Sequence, residues 1–151
     1  MFYKEGIYVG YRYYDKQGIR PQFPFGFGLS YTSFEYESLN VKASNVEAYP
    51  VVATVSVKNT GDVAGKEVVQ IYVSDVESSV DQPVKELGGF VKVSLKPGES
   101  KTVRIPLHWT AFQFFDPVSK HWKLEPGEFK IIAARSATDL QKEIAITLGA
   151  E

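Results

Sequence analysis

From about residue 33 to the end of the chain, apolar and polar residues alternate in short runs separated by turn residues. Ala53, Val55 and Val57 alternate with Thr54, Ser56 and Lys58, and Val69, Ile71 and Val73 alternate with Val68, Gln70 and Tyr72. Phe34, Tyr36 and Val41 mark an earlier strand, and Val91, Val93 and Leu95 a later one. Val103, Ile105 and Leu107 return from a KPGE turn at 96–99, Phe112 and Phe114 suggest a short strand, and an EPGE turn sits at 125–128. Phe129, Ile131 and Ala133, then Ile144, Ile146 and Leu148, complete the series. A period of two places successive side chains on opposite faces of a strand. NTGD at 59–62 reads as a turn in which Asn and Gly take left-handed conformations. With about seven such strands and no convincing helix, an all-β, immunoglobulin-like or fibronectin type III-like two-sheet sandwich is predicted over 33–151.

Residues 1–32 have another texture, an aromatic-rich N-terminal extension. In IYVGYRYYD, Val9, Tyr11 and Tyr13 alternate with Tyr8, Arg12 and Tyr14. That predicts a strand with aromatic character on both faces, needing cover on both sides. FPFGFGLSYT at 23–32 follows, with four aromatic rings and two glycines. Gly26 and Gly28 form G-x-G, but Tyr31 stands where the third glycine of a dinucleotide fingerprint belongs, and no Lys-Ser/Thr pair follows. The better reading is close backbone approach at the glycines, with the rings filling apolar pockets.

Charge and composition narrow the chemistry. The 151 residues carry a formal net charge of −1, without a Lys/Arg block, so no nucleic-acid or membrane partner is indicated. The absence of cysteine removes disulfides and thiol chemistry. The start, MFYKEG, shows no basic stretch leading into an apolar one, so no signal peptide is expected there, and a start inside a longer protein is compatible with this. His108 and His121 lack metal-ligand spacing, and no G-x-S-x-G occurs. No metal or cofactor is expected. Glycoside hydrolysis requires only two carboxyl groups. Asp62, Asp75, Asp81, Asp116 and Asp139 read as turn or strand-end residues, whereas Asp15 is least easily assigned to a turn. Lys85-Glu86 reads as a surface ion pair, with a dock for another domain as the alternative. Trp109 and Trp122 are candidates for stacking on sugar rings, against the plainer reading that they pack over the ends of the sandwich.

EGIYVGYRYYD at 5–15 and PFGFGLSYTSFEY at 24–36 resemble the segment that leaves the second catalytic-unit domain of glycoside hydrolase family 3 enzymes. VKNTGDVAGKEVVQIYVSD at 57–75, PVKELGGFVKVSLKPGESKTV at 83–103 and EPGEFKI at 125–131 resemble the fibronectin type III-like domain that ends many of those enzymes, β-glucosidases and β-xylosidases among them. The resemblance implies a barrel domain with the nucleophilic aspartate and an α/β sandwich domain with the acid/base glutamate, both outside this chain. No Ser-Asp-Trp stretch occurs here, so no catalytic residue is carried over. It also implies a tail at 1–32 connecting to the α/β domain, a periplasmic or secreted parent, and an accessory role in carbohydrate metabolism. Tyr11, Tyr13, Phe23, Phe25, Phe27, Tyr31, Lys85 and Glu86 are then candidate interdomain contacts. Other roles open to this architecture are a polysaccharide- or lignin-binding module and an unrelated adhesion or oligomerisation domain. Turn signals and alternation are complete from residue 33, so that part is expected to fold without residues 1–22. Thermal unfolding of the shortened chain tests this, and loss of a cooperative transition would contradict it.

Overall fold

The computed structural model describes residues 4–149. Among the described residues, nine strands form two main sheets and a small hairpin. They are β1 (Phe34–Val46), β2 (Tyr49–Asn59), β3 (Gly65–Asp75), β4 (Glu86–Leu95), β5 (Ser100–Leu107), β6 (Phe114–Asp116), β7 (His121–Lys123), β8 (Gly127–Ser136) and β9 (Asp139–Leu148). One sheet has the order β1-β2-β5, the other β4-β3-β8-β9, and β6 pairs with β7. All of these pairings are antiparallel. The chain is an all-β, fibronectin type III-like sandwich.

The core forms where the alternating apolar faces meet. Val51, Ala53, Val55 and Val57 of β2 lie against Val69, Ile71 and Val73 of β3 and Phe129, Ile131 and Ala133 of β8, with Leu95 and Leu107 closing the layer. In β2 the other face remains half-exposed, so burial follows the period of two. In β3 and β8 it does not. Residues 69–73 and 131–134 are buried in succession, on both faces of the sheet. The outward side chains Tyr72, Ile132 and Ala134, with Ala137, make a second apolar cluster that half-buried Tyr11 and Leu87 join. The cover over this outer face is the chain's own N-terminal segment.

Residues 11–17 form a helix, α1 (Tyr11–Gln17), where a strand was predicted. The positions that turn inward are Tyr8, Tyr11, Arg12 and Asp15, spaced i, i+3, i+4, i+7 as one helix face requires. Gly18, in the left-handed conformation at φ 63°, ends the helix, and its N–H and that of Ile19 bond back to the carbonyls of Asp15 and Tyr14. Seven residues are too few for a helix stable in water by itself, so its packing on the sheet holds it.

Two other local expectations are corrected. Asn59 and Gly61 do not take left-handed conformations. Instead the buried Asn59 side chain organises the turn. Its Oδ1 accepts from the Gly61 N–H, and its Nδ2 donates to the carbonyls of Val63 and Leu95. Phe112 belongs to a 3-10 turn over Trp109–Phe112, and the short strand starts only at Phe114.

The segment 18–33 then crosses the outer face of the four-stranded sheet. The Ala137 N–H donates to the Phe25 carbonyl, and Thr32 donates through its hydroxyl to Asn59 at 2.6 Å. Gly26 lies against the buried Gln70, whose amide nitrogen donates to the Arg135 and Gly26 carbonyls and whose Oε1 accepts from the Tyr72 hydroxyl. At Gly26 φ is 81°, and a Cβ there would lie 2.3 Å from Gln70 Nε2. We propose 32/33 as the boundary between tail and sandwich. Removing residues 1–22 would take Tyr11 off Tyr72 and Asp15 away from Lys85, so the remainder is expected to unfold cooperatively at a lower temperature. Gly26→Ala is expected to destabilise the chain by about 1–3 kcal/mol through a strained φ and the displaced Gln70 amide. Gly28→Ala, with open space at its Cβ, is expected to be nearly neutral. Equal denaturant midpoints for the two variants would contradict this.

Candidate interdomain face

The segment 5–32 has an inner side fastened to the sandwich and an outer side rich in exposed apolar groups. On the inner side, Tyr11 stacks on Phe25 at 5.1 Å between ring centroids and meets Tyr72 edge-on at 5.7 Å. The Tyr11 hydroxyl accepts the Leu87 N–H at 2.9 Å, and the Tyr8 hydroxyl donates to the Gln82 carbonyl at 3.1 Å. Three cation–anion pairs join the helix to the start of β4 and the loop before it. Arg12 meets Glu86 at 2.6 Å, Lys16 meets Asp81 at 2.5 Å, and Lys85 meets Asp15 at 2.6 Å.

These pairs differ in weight. Arg12–Glu86 and Lys16–Asp81 are each more than a third exposed, and pairs of that kind contribute little. Asp15 and Lys85 retain only 13% and 7% of their side-chain exposure, and Lys85 Nζ also lies 5.7 Å from the Tyr72 ring centre. Removing one partner of such a pair leaves the other charge buried alone. Lys85-Glu86 is therefore not the surface ion pair expected from sequence. Each residue pairs across to α1, and Lys85 is buried. Asp15, the carboxylate least easily assigned from sequence, is a structural partner of Lys85.

On the outer side, Phe23, Phe25 and Phe27 are half-exposed or more, and Leu29 and Tyr31 are almost fully exposed. Phe23 and Phe27 contact each other at 5.5 Å, and Tyr13 packs edge-on against its neighbour Tyr14 with both rings open to solvent. Of the candidate contacts named from sequence, Tyr11 and Lys85 thus lie on the inner side and Glu86 pairs with Arg12. Phe25 lies at the border, stacked on Tyr11 yet half-exposed. Tyr13, Phe23, Phe27 and Tyr31 face outward.

The two tryptophans lie elsewhere. Trp109 is half-buried, and its backbone and indole N–H groups donate to the Ala48 and Glu47 carbonyls of the β1–β2 turn. Trp122 on β7 is exposed and meets Phe115 edge-on at 5.8 Å. In the same hairpin, Asp116 accepts from the Val118 N–H and the Ser119 hydroxyl, and Lys123 lies beside it. The Val118 N–H first, then Ser119, hold its carboxyl down at about 2. His108 caps the 3-10 turn by accepting the Thr110 N–H. No group of three or more His, Cys, Asp or Glu residues that could hold a metal occurs among the described residues. No helix among them is long and apolar enough to cross a membrane.

The fold and its fastened N-terminal segment define a class, a fibronectin type III-like sandwich with an integral apolar lead-in. The family model for the fibronectin type III-like domain matches residues 67–137. The chain is 53% identical over 139 residues to thermostable beta-glucosidase B of Acetivibrio thermocellus, a match covering 91% of this chain and 18% of that protein. It is 48% identical to beta-glucosidase BoGH3A of Bacteroides ovatus, covering 92% of this chain and 19% of that one. Among solved structures it superposes on the beta-glucosidase DesR of Streptomyces venezuelae with a TM-score of 0.91 and 38% identity, over 97% of this chain and 19% of that chain. A GH3 beta-glucosidase of Bifidobacterium adolescentis gives 0.90 and 39%, over 97% and 21%. The chain thus spans about a fifth of the length of the relatives it matches. It is similar to the fibronectin type III-like part of these β-glucosidases, and the match takes in the N-terminal segment as well as the sandwich.

Asp15→Ala is expected to destabilise the chain by about 3–5 kcal/mol, because Lys85 is left charged beneath α1. Asp15→Leu combined with Lys85→Met is expected to recover most of that loss. A single-variant cost below about 1 kcal/mol in urea unfolding would show that the pair is no more than a surface contact.

Proposed function

We propose that this chain is a non-catalytic accessory domain of a glycoside hydrolase family 3 β-glucosidase, bracing the barrel and α/β domains that carry out hydrolysis of O-glycosyl bonds. The observation that carries the reading is the division of the N-terminal segment. Its inner side is fixed on the sandwich by hydrogen bonds and a buried ion pair. Its outer side leaves Phe23, Phe27, Leu29 and Tyr31 in solvent. Large apolar side chains left in solvent this close together along one segment point to an interaction site. The relatives supply the partner by their names and lengths, since about four-fifths of each lies outside the matched region.

The carboxylates support the same reading. Asp15 holds Lys85, Asp116 shapes a hairpin, Asp81 pairs with Lys16, Asp75 accepts the Glu77 N–H, and Asp139 lies 3.7 Å from Arg135. Each of these five is engaged by a group within the domain. Tyr13, Phe23, Phe25, Phe27 and Tyr31 are the proposed interdomain contacts, and Tyr11, Lys85 and Glu86 set their backbone in place. Contact with polysaccharide, at Trp122 if anywhere, is a subordinate reading that rests on that ring's exposure alone.

The test is hydrolysis of p-nitrophenyl β-glucoside by the purified chain, by a catalytic fragment of the Acetivibrio thermocellus enzyme lacking the matched region, and by the two together. The chain alone is expected to be inactive. At a concentration 100 times its Kd it is expected to stabilise the fragment by about 2.7 kcal/mol. Hydrolysis by the chain alone, abolished by changing one carboxylate, would overturn the reading.

A further inference from the structure

Beside the outward aromatics lies a cleft of about 620 Å³, walled on one side by residues 20–34 and on the other by β3 and the β8–β9 turn. Its two carboxylates are already engaged. Glu67 accepts the Tyr36 hydroxyl at 3.0 Å, and Asp139 accepts from the Gln141 amide and lies 3.7 Å from Arg135. Arg135 in turn sits over the Tyr36 ring and donates to the Phe34 carbonyl, so that cation is committed as well. Burial raises the Glu67 carboxyl above its ordinary range. Arg20 and Lys66 remain. Both line the cleft, both are exposed, and neither has a carboxylate partner among the described residues. The cleft thus offers two uncommitted cations beside Leu29, continuous with the exposed aromatic side of the segment.

We propose that this cleft seats an acidic loop of the catalytic domains, with carboxylates of that loop pairing with Arg20 and Lys66 while the neighbouring aromatics provide the apolar contact. This rests on the accessory-domain reading and adds the chemistry of the partner surface. Two observations select the occupant. Among the charged residues that line the cleft, the two without a partner are positive, and complementary charge fixes register and partner choice at an interface. The part of the relatives outside the match is about four-fifths of their length, which provides a covalently joined partner with ample surface. Arginine, with its planar fork of donors, suits a bidentate carboxylate, and lysine suits a single oxygen.

Calorimetric titration of the full chain into the Acetivibrio thermocellus catalytic fragment, at low and high salt, tests the proposal. Arg20→Glu combined with Lys66→Glu is expected to weaken binding about tenfold or more and to flatten its salt dependence. Arg20→Ala with Lys66→Ala is expected to act in the same direction with a smaller effect. The control is Lys42→Glu with Arg104→Glu, an equal charge change at exposed positions on the three-stranded sheet, and it is expected to leave binding unchanged. If the wild-type chain binds and the Arg20/Lys66 variants bind as well as the control, the acidic-loop proposal falls and the accessory-domain reading stands. If the wild-type chain does not bind at all, both fall.

Discussion

The constraint on which this structure turns is that β3 and β8 are buried on both faces. A sandwich needs only its inner faces covered, and the three-stranded sheet leaves its outer face half-open. The four-stranded sheet carries Tyr72, Ile132 and Ala134 on its outer face. Left in water, these would be an exposed apolar patch at the centre of the sheet. The N-terminal segment removes it, with Tyr11 against Tyr72 and Gly26 against Gln70. The buried Lys85–Asp15 pair then ties the position of α1 to the residue that leads into β4. A hydrophobic contact tolerates sliding, whereas a buried charge pair with one geometry does not. The pair is therefore better understood as a device of register than as a source of net stability.

This separation of faces explains the aromatic content of FPFGFGLSYT. Its rings do not all serve one purpose. Phe25 leans on Tyr11 within the chain, while Phe23, Phe27 and Tyr31 are directed away from it. The glycines also differ. Gly26 permits the backbone to approach Gln70, and Gly28 meets nothing within 4 Å. A segment held rigidly on one side and apolar on the other is pre-organised for docking, because little conformational freedom remains to be lost when a partner covers it.

The sandwich was legible in the sequence because its strands obey a period of two. Ala53, Val55 and Val57, and likewise Val69, Ile71 and Val73, are apolar wherever they meet the core. The double cover of the four-stranded sheet was not read from the sequence, because Gln70 on the outward face of β3 looks like an ordinary polar position. The helix was hidden for a physical reason. Two of its inward positions are Arg12 and Asp15, charged residues that become half-buried only because Glu86 and Lys85 meet them from about 70 residues away. No local pattern carries that information, and the alternation of Val9, Tyr11 and Tyr13 imitated a strand. The same distance concealed the burial of Lys85. The Asn59 turn was misread because its side chain, rather than a left-handed backbone, satisfies the turn.

The central claim is that one side of the N-terminal segment belongs to this domain and the other to a partner. Amide hydrogen exchange, measured on the free chain and on the chain with the catalytic fragment, tests it most directly. The Leu87 and Ala137 amides, bonded to Tyr11 and Phe25, are expected to be protected in the free chain already. Residues 23–31 are expected to gain protection only when the fragment is present, and the outer face of the three-stranded sheet to gain none. Fast exchange at Leu87 and Ala137 in the free chain, or no added protection across 23–31 in the complex, would contradict the account.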